Sequence, residues 1–319
     1  MYFPFLRGRQ YDLLALKELA QGKFISEKII PIIEPIKISS TFKSTIQAYV
    51  EKKLPIAIVL NPSVSQMTDD YYNELINLFK NNKSVYIVLL FDRKIFNELS
   101  RLNEFDISTN NTNIIIVFND IDVLDLYNYI VHSKHLLKPL YTLIPESFKR
   151  CFDIKNDNLV ILEDRFHKLS RNVDYYTSED EFFSDIHLWY QKENFKGFGD
   201  YSIVGKDFNE TGFAPRAVAI HIVYVDKERL FFRVRHFISD NNHGIEDIAG
   251  KFYEAITKLN DWHSKYNNSF ICETRALSTL LNYATTGYYP GLPTIKKLSI
   301  MHHIELVNII LTQNKSLID

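Results

Sequence analysis

The sequence has little cysteine: 319 residues contain two, Cys151 and Cys272, far apart and with no metal-binding spacing around them. This excludes a disulfide-stabilised fold and a zinc ribbon built on paired C-x-x-C motifs. We therefore expect two reduced thiols, which is typical of a cytoplasmic protein.

Long apolar runs are also lacking, since no stretch approaches the roughly 18 residues that span a membrane. The first residues, M-Y-F-P-F, carry no basic region followed by an apolar segment, so we expect no signal peptide. The formal net charge of −2 gives no whole-molecule attraction to nucleic acid or acidic membranes. We expect a cytoplasmic protein that binds no membrane and whose anion sites are local.

Several catalytic motifs are missing. There is no Walker loop, no G-x-G-x-x-G and no G-x-S-x-G, and these absences argue against a P-loop NTPase, a dinucleotide enzyme and a serine hydrolase. The stretch H-H-I-E at 302–305 lacks the H-E-x-x-H spacing of a metalloprotease helix.

What the sequence does contain is a repeating unit, an apolar run that ends in a polar residue and is followed by a helical pattern. The clearest run is I-I-P-I-I-E-P-I-K at 29–37. The eight predicted strands are 29–34, 54–61, 85–92, 113–120, 139–144, 158–164, 197–204 and 217–225. Nearly continuous apolar strands alternating with helices predict an α/β fold, a TIM-barrel-like (β/α)8 barrel.

Two features extend beyond a minimal barrel. Residues 230–238 follow a short D-K-E-R turn, which predicts an additional antiparallel strand after strand eight. The remainder is mostly helical and predicts a C-terminal helical layer. Residues 178–191 read as a capped helix. We expect one domain, 1–319, with an N-terminal arm and helix (1–28), a barrel (29–240) and a helical extension (241–319).

Acidic residues near the ends of the predicted strands are the main candidates for catalysis. Carboxyl ends of barrel strands meet at one rim, where crowded carboxylates hold a divalent cation such as Mg²⁺ or share protons. The predicted catalytic residues are Glu34, Asp92, Glu163 and Asp200. The alternative is that such residues only cap the following helices.

Basic and polar residues near the same ends predict ligand binding. Arg93 and Arg165 directly follow acidic residues, where they would neutralise them or bind a phosphate through two hydrogen bonds. Arg7 and Arg9 lie on one face of an extended arm; they would bind an acidic ligand or tie the arm to the acidic rim. The predicted ligand-binding residues are Arg7, Arg9, Lys37, Asn61, Arg93, Arg165, His221, Arg233 and Arg235.

Three of these residues lie in the last predicted strands. Arg233 and Arg235 alternate with Phe231 and Phe237, a pattern that suits base stacking with charge on phosphates, or a strand of paired arginines covering the barrel rim. His221 has small neighbours on its face, so it would act as a proton donor or acceptor, or as a hydrogen-bonded core histidine.

The opening Y-F-P-F-L-R-G-R-Q-Y-D-L-L-A-L, followed by I-I-P-I-I-E-P, resembles the beta-protein family of phages and bacterial genomes. The later G-D-Y at 199–201 is similar as well. One bacterial subfamily also ends in Y-P-G-L-x-T-x-K-K-L-S-x-M-H-H-x-E, here residues 289–305. Asp12 stands near an expected acidic position. The resemblance implies a part in phage–host conflict and a nuclease-like partner protein encoded nearby.

We expect a component of an antiphage or mobile-element defence module that recognises a phosphorylated or nucleic-acid ligand at the barrel rim and acts with that partner. One alternative is a stand-alone phosphoesterase or nuclease in which Glu34, Asp92 and Glu163 hold Mg²⁺. Another is a non-catalytic structural scaffold. The sequence leaves open whether the protein is an enzyme.

Overall fold

The computed structural model describes residues 1–65, 68–107, 113–154, 157–208 and 216–313. The strands are β1 (Tyr2–Leu6), β2 (Ile32–Ile33), β3 (Ile56–Val59), β4 (Val85–Phe91), β5 (Ile114–Phe118), β6 (Tyr141–Ile144), β7 (Leu159–Glu163), β8 (Asp180–Ser184), β9 (Gly197–Asp200), β10 (Ala219–Asp226), β11 (Phe232–Ile238) and β12 (Phe270–Ile271). The α-helices are α1 (Gln10–Gln21), α2 (Ser40–Lys52), α3 (Asp69–Asn81), α4 (Ile95–Glu104), α5 (Leu124–Asn128), α6 (Ile248–Tyr266), α7 (Arg275–Thr286) and α8 (Leu292–Gln313).

Eight parallel strands close into a barrel in the order β1-β2-β3-β4-β5-β6-β7-β9. Helices connect many of the strands, and the chain ends in a helical layer, α6 to α8. This confirms the predicted α/β, TIM-barrel-like (β/α)8 fold. Two of these helices are capped, because the side chains of Ser39 and Thr68 accept hydrogen bonds from backbone N–H groups at the starts of α2 and α3.

The strands that build the barrel differ from the predicted set at both ends. β1 lies in the segment predicted to be an arm outside the barrel, and all five of its residues are buried. Its sequence resembles an arm because it is short, contains a proline and is followed by arginines. The predicted eighth strand, 217–225, is wrong as a barrel strand, since β10 pairs instead with β11 and β12. The predicted seventh strand ends at Asp200.

A separate antiparallel sheet has the order β12-β10-β11-β8. The predicted extra strand at 230–238 is present as β11, which forms a hairpin with β10 and pairs Phe232 with Val225. The helix predicted over 178–191 is wrong, because residues Asp180–Ser184 form β8 and pair with β11. Pairing with a strand distant in sequence overrides the local helical spacing here.

The chain divides into two compact units. The first comprises Met1–Leu13, Ser26–Glu163 and Trp189–Asp200 and contains the barrel. The second comprises Leu14–Ile25, Asp164–Leu188 and Tyr201–Asp319 and contains the antiparallel sheet. Within the described ranges, no helix combines the length and the apolar character needed to cross a membrane.

The barrel interior is identified by a contact between strands that are not neighbours. The rings of Phe3 on β1 and Tyr141 on β6 lie 5.2 Å apart, so both side chains point inward. Phe3 pairs with Gly199, and Gly199 pairs with Leu162. A Cβ atom at Gly199 would lie 2.4 Å from the Phe3 carbonyl oxygen, so only glycine fits here. By strand alternation, the neighbouring Asp200 faces outward.

Helix α8 is anchored in the second unit by polar side chains of the M-H-H-x-E stretch. His302 Nδ1 lies 2.7 Å from the Thr274 hydroxyl, and its Nε2 lies 2.6 Å from the Val223 carbonyl on β10. His303 Nδ1 lies 3.0 Å from the Ser202 hydroxyl. Burial lowers the pKa of His302 to about 4 and that of His303 to about 3, so both rings are neutral. These neutral histidines therefore connect α8 by hydrogen bonds to Thr274, to β10 and to Ser202.

Glu305, two residues further along α8, completes this arrangement. Its carboxyl oxygens accept hydrogen bonds from the backbone N–H groups of Arg275 and Ala276, 2.9 and 3.4 Å away. These groups belong to the first turn of α7, where N–H groups have no partner inside the helix. The stretch that carries the subfamily resemblance thus joins α8 to β10 and to the start of α7.

Candidate functional site

The predicted catalytic residue Glu34 lies directly after β2 and is completely buried. It forms an ion pair with Arg7, and Ser63 donates two hydrogen bonds to its Oε1, from the backbone N–H at 2.6 Å and from the hydroxyl at 2.8 Å. Arg7 therefore ties the end of β1 to Glu34, which is the tethering alternative. Arg9 is half-buried.

Other residues near the barrel strand ends contact the backbone. Asn61 bonds both backbone groups of Leu90 on β4, each at 2.8 Å. Asp92 accepts a hydrogen bond from the Lys94 N–H at 2.7 Å in the turn before α4, but no side chain caps that helix at Lys94, so this contact is not the predicted helix cap. Arg93 and Lys37 are exposed. Asn61 and Asp92 thus hold the backbone of a neighbouring strand and of a turn.

Two of the predicted catalytic carboxylates face away from the barrel interior. Glu163 pairs with Asp200, in the register next to the inward-facing Leu162 and Gly199. The Tyr2 hydroxyl donates a hydrogen bond to Asp200 at 2.8 Å, and burial together with this carboxylate raises the pKa of Tyr2. Glu163 accepts a hydrogen bond from the Glu146 N–H at 2.6 Å. The structure therefore does not bring Glu163 and Asp200 together with Glu34.

The described residues of the barrel contain no group of three His, Cys, Asp or Glu side chains close enough to share one ion. One reason for this is that the Glu163 side chain faces away from the barrel interior and so does not approach Glu34. The Mg²⁺ site built on Glu34, Asp92 and Glu163 stays a prediction that the geometry does not favour.

The remaining predicted residues belong to the second unit. Arg165 is half-buried. Arg233 Nε lies 2.7 Å from Asp180 Oδ1, and Arg235 Nη1 lies 3.2 Å from Asp180 Oδ2. The Tyr224 hydroxyl donates to the same carboxylate at 2.8 Å. Asp180 thus pairs with both arginines, and Glu179 Oε2 lies 3.7 Å from Arg235, so the arginines are paired as one alternative predicted and leave less charge for a phosphate.

The other face of the same sheet carries His221, which lines a cavity of about 280 Å³ in the second unit. The apolar part of the wall comes from the segments after β7 and after β9, from the start of β10 and from the start of α8. The polar side chains of the lining are Lys168, Asn172, Tyr175, His221, Lys296 and Ser299. Among the described lining residues two carry ammonium groups and none carries a carboxylate. The cavity therefore favours an anion.

His221 is the first member of a polar array that leads away from the cavity. It pairs with His236 across the hairpin, and the two Nδ1 atoms lie 2.6 Å apart. His236 Nε2 lies 3.6 Å from Glu181 Oε2 on β8. The ring of Tyr175 packs against both imidazoles, at 4.9 and 4.4 Å between centroids. The sheet thus holds the order Glu181, His236, His221, cavity.

The tautomers follow from this order. Between two Nδ1 atoms at hydrogen-bond distance, one nitrogen donates and the other accepts. The Glu181 carboxylate, 3.6 Å from the buried Nε2 of His236 and so beyond hydrogen-bond distance, favours a proton there by its charge alone; with that tautomer, Nδ1 of a neutral His236 is the acceptor. His221 then donates through Nδ1, and its Nε2 keeps the lone pair. The arrangement produces a neutral base at the cavity wall.

The electrostatics agree with neutral rings. Burial, together with His236 and Lys296, holds the pKa of His221 well below its usual value. Burial also lowers the pKa of His236, although Glu181 acts in the opposite direction. An anion in the cavity would offset the effect of Lys296 and raise the pKa of His221. Binding of an anion there would therefore be coupled to protonation of His221.

The sequence points to His221 but not to its partners. Counting outward from the D-K-E-R turn at 226–229 pairs His221 with Val234, whereas the hairpin pairs it with His236 because Leu230 and Phe231 also belong to the loop. Glu181 was not predictable either, since its segment was predicted to be helical. Lys168 belongs to no motif, Lys296 is the first lysine of the K-K pair in the 289–305 stretch, and only the fold brings the two to one cavity.

No protein-family model, no curated protein and no solved structure matches this chain.

Proposed function

We propose that the protein binds a small phosphorylated ligand in the cavity of the second unit, and that His221 transfers a proton during a reaction of that ligand. The observation that carries this proposal is the Glu181–His236–His221 array ending at a cavity with two lysines and no carboxylate among its described lining residues. The cavity volume is near the lower end of the range for ligand sites, about 300–1,000 Å³. It therefore suits a nucleotide or a terminal phosphate better than a nucleic-acid duplex.

The chemistry is a general acid–base step. His221 Nε2 accepts a proton from the attacking hydroxyl or water as its oxygen bonds to phosphorus and the bond from phosphorus to the leaving oxygen breaks. The leaving oxygen takes a proton from water, while His236 and Glu181 stabilise the His221 imidazolium until it loses its proton to solvent. Lys168 and Lys296 offset the negative charge of the phosphoryl group. The reaction class is hydrolysis or transfer at a phosphoester.

The first test needs no knowledge of the substrate. Isothermal titration of inorganic phosphate and nucleoside monophosphates, in two buffers of different ionisation enthalpy, measures proton uptake on binding. We expect wild-type protein to bind at least one probe with proton uptake, and His221→Gln to bind it without uptake. His243→Gln is the matched control, because His243 is exposed. Absence of binding, or equal uptake in His221→Gln, contradicts the proposal.

The second test measures catalysis on any probe that binds. Phosphoester hydrolysis should fall by about 10²- to 10⁴-fold in His221→Gln. Glu181→Gln should lower the rate less and change its pH profile, because Glu181 acts through His236. Equal rates in wild type and His221→Gln would assign the cavity to binding alone.

The resemblance to the beta-protein family supports a wider role, as a component of an antiphage or mobile-element defence module with a nuclease-like partner protein. A pull-down of the native protein from its host, followed by mass spectrometry, tests this. A co-purifying nuclease-like protein supports the module. If a strain carrying His221→Gln is still fully protected against phage, the defence role does not depend on the chemistry proposed for the cavity.

A further inference from the structure

Three side chains with metal-binding atoms meet in the second unit, away from the residues that line the cavity. His263 lies in the last turn of α6, while Cys272 and Glu273 directly follow β12. One ligand atom from each lies within 4.8 Å of the other two. His263 Nε2 is 2.7 Å from Glu273 Oε1. Among the described residues this is the only such group of three.

The ligand types restrict the ion. Thiolate sulfur, imidazole nitrogen and a carboxylate oxygen suit Zn²⁺ and similar divalent transition metals. Mg²⁺ and Ca²⁺ prefer sites made of oxygen atoms. Three protein ligands around a tetrahedral ion leave one position for water or another ligand.

The surroundings of the group also suit a bound ion. Cys272 is 1% exposed. Trp262 directly precedes His263 in the sequence, and Phe270 lies two residues before Cys272. The rings of Trp262 and Phe270 stack with their centroids 4.1 Å apart, and the ring of His263 lies 6.2 Å from that of Phe270. The side chain of Glu273 is 68% exposed, which provides access from solvent. The group therefore combines a buried thiol with a solvent-exposed carboxylate.

We propose that His263, Cys272 and Glu273 bind one Zn²⁺-type divalent transition metal ion. Binding converts the Cys272 thiol to a thiolate and releases its proton to solvent. The His263–Glu273 contact opens by a small amount so that each atom reaches the ion. This inference is independent of the phosphorylated ligand proposed for the cavity.

Titration of the metal-free full-length protein with Co²⁺ tests the site. We expect a thiolate-to-cobalt charge-transfer band that saturates at one equivalent and disappears when Zn²⁺ is added. The band should be lost in Cys272→Ala and retained in Cys151→Ala, which removes the exposed cysteine. Glu273→Gln should weaken Co²⁺ binding at least about tenfold.

Because Cys272 is buried, the circular dichroism of each variant is compared with that of wild type. Glu273 is exposed, so its variant keeps the test valid if Cys272→Ala fails to fold. A wild-type titration without the band overturns the proposal. So does a band that Cys151→Ala abolishes, or a Co²⁺ affinity unchanged in Glu273→Gln, since His263 and Glu273 would then form only an ion pair.

Discussion

The strand ends of the barrel and the cavity of the second unit both gather charged side chains, and they differ in what those charges contact. Glu34 is completely buried and is matched by Arg7 and Ser63. In the cavity, Lys168 and Lys296 lie among lining residues that, in the described part of the chain, include no carboxylate. A charged residue at a strand end can serve the fold alone, as Glu34 does by pairing with Arg7. We therefore propose the ligand site in the cavity and not at the barrel strand ends.

The largest expected difference between the two units is their response to acid. His187, His221, His236, His302 and His303, the histidines whose pKa is lowered, all lie in the second unit. Between pH 6.5 and 4 the unfolded chain binds protons that the folded chain does not. The free energy of unfolding therefore decreases as the pH is lowered through this range. His302 alone contributes roughly 3 kcal/mol over this range.

The chain offers one tryptophan per unit to measure this, Trp189 in the barrel unit and Trp262 in the second. With Trp189→Phe, the fluorescence of Trp262 reports the second unit; with Trp262→Phe, Trp189 reports the barrel. On acidification to pH 4 we expect Trp262 to report unfolding first. Simultaneous transitions would mean that the units unfold together.

The next largest effect is expected from breaking the buried ion pair of the barrel. Arg7→Ala leaves the Glu34 carboxylate buried without its cation and should lower the free energy of unfolding by about 3–5 kcal/mol. Urea titration followed by Trp189 fluorescence measures it. The exposed Arg93→Ala is the control and should change stability by less than about 0.5 kcal/mol. Equal effects would mean that Arg7 does not stabilise the barrel.

Gly199→Ala should have an intermediate effect. The new methyl group would lie 2.4 Å from the Phe3 carbonyl oxygen, a backbone atom that moves only if β1 shifts. We expect a loss of about 1–3 kcal/mol from overpacking, again followed by Trp189. An unchanged urea midpoint would show that β1 and β9 separate easily.

The smallest effect on stability, and a clear effect on binding, is expected from Lys168→Ala. Loss of a charge-assisted contact should weaken phosphate binding roughly tenfold, while the exposed side chain contributes little to folding. Lys37→Ala at the barrel rim is the matched control and should change neither quantity. A titration in which only Lys37→Ala weakens binding would return the ligand site to the rim.

The sequence was sufficient to predict the barrel because parallel strands are buried on both faces and read as continuous apolar runs. It was insufficient for β1, whose proline and following arginines resemble an exposed arm. It was also insufficient for β8, since pairing with β11 is a non-local contact. Of the candidate site residues, His221 was predicted from the sequence. The outward direction of the Glu163 and Asp200 side chains was not, because it depends on strand register, and a shift of one residue reverses it.

The position of β8 in the chain has a consequence for synthesis. It precedes β9, the last barrel strand, yet its partner β11 is about 50 residues further on. At ribosomal rates of about 5–20 residues per second, the edge of β8 waits roughly 3–10 s for its partner. During that interval the nascent chain presents an unpaired strand containing Phe182 and Phe183. Chaperone binding during translation is expected to centre on this segment.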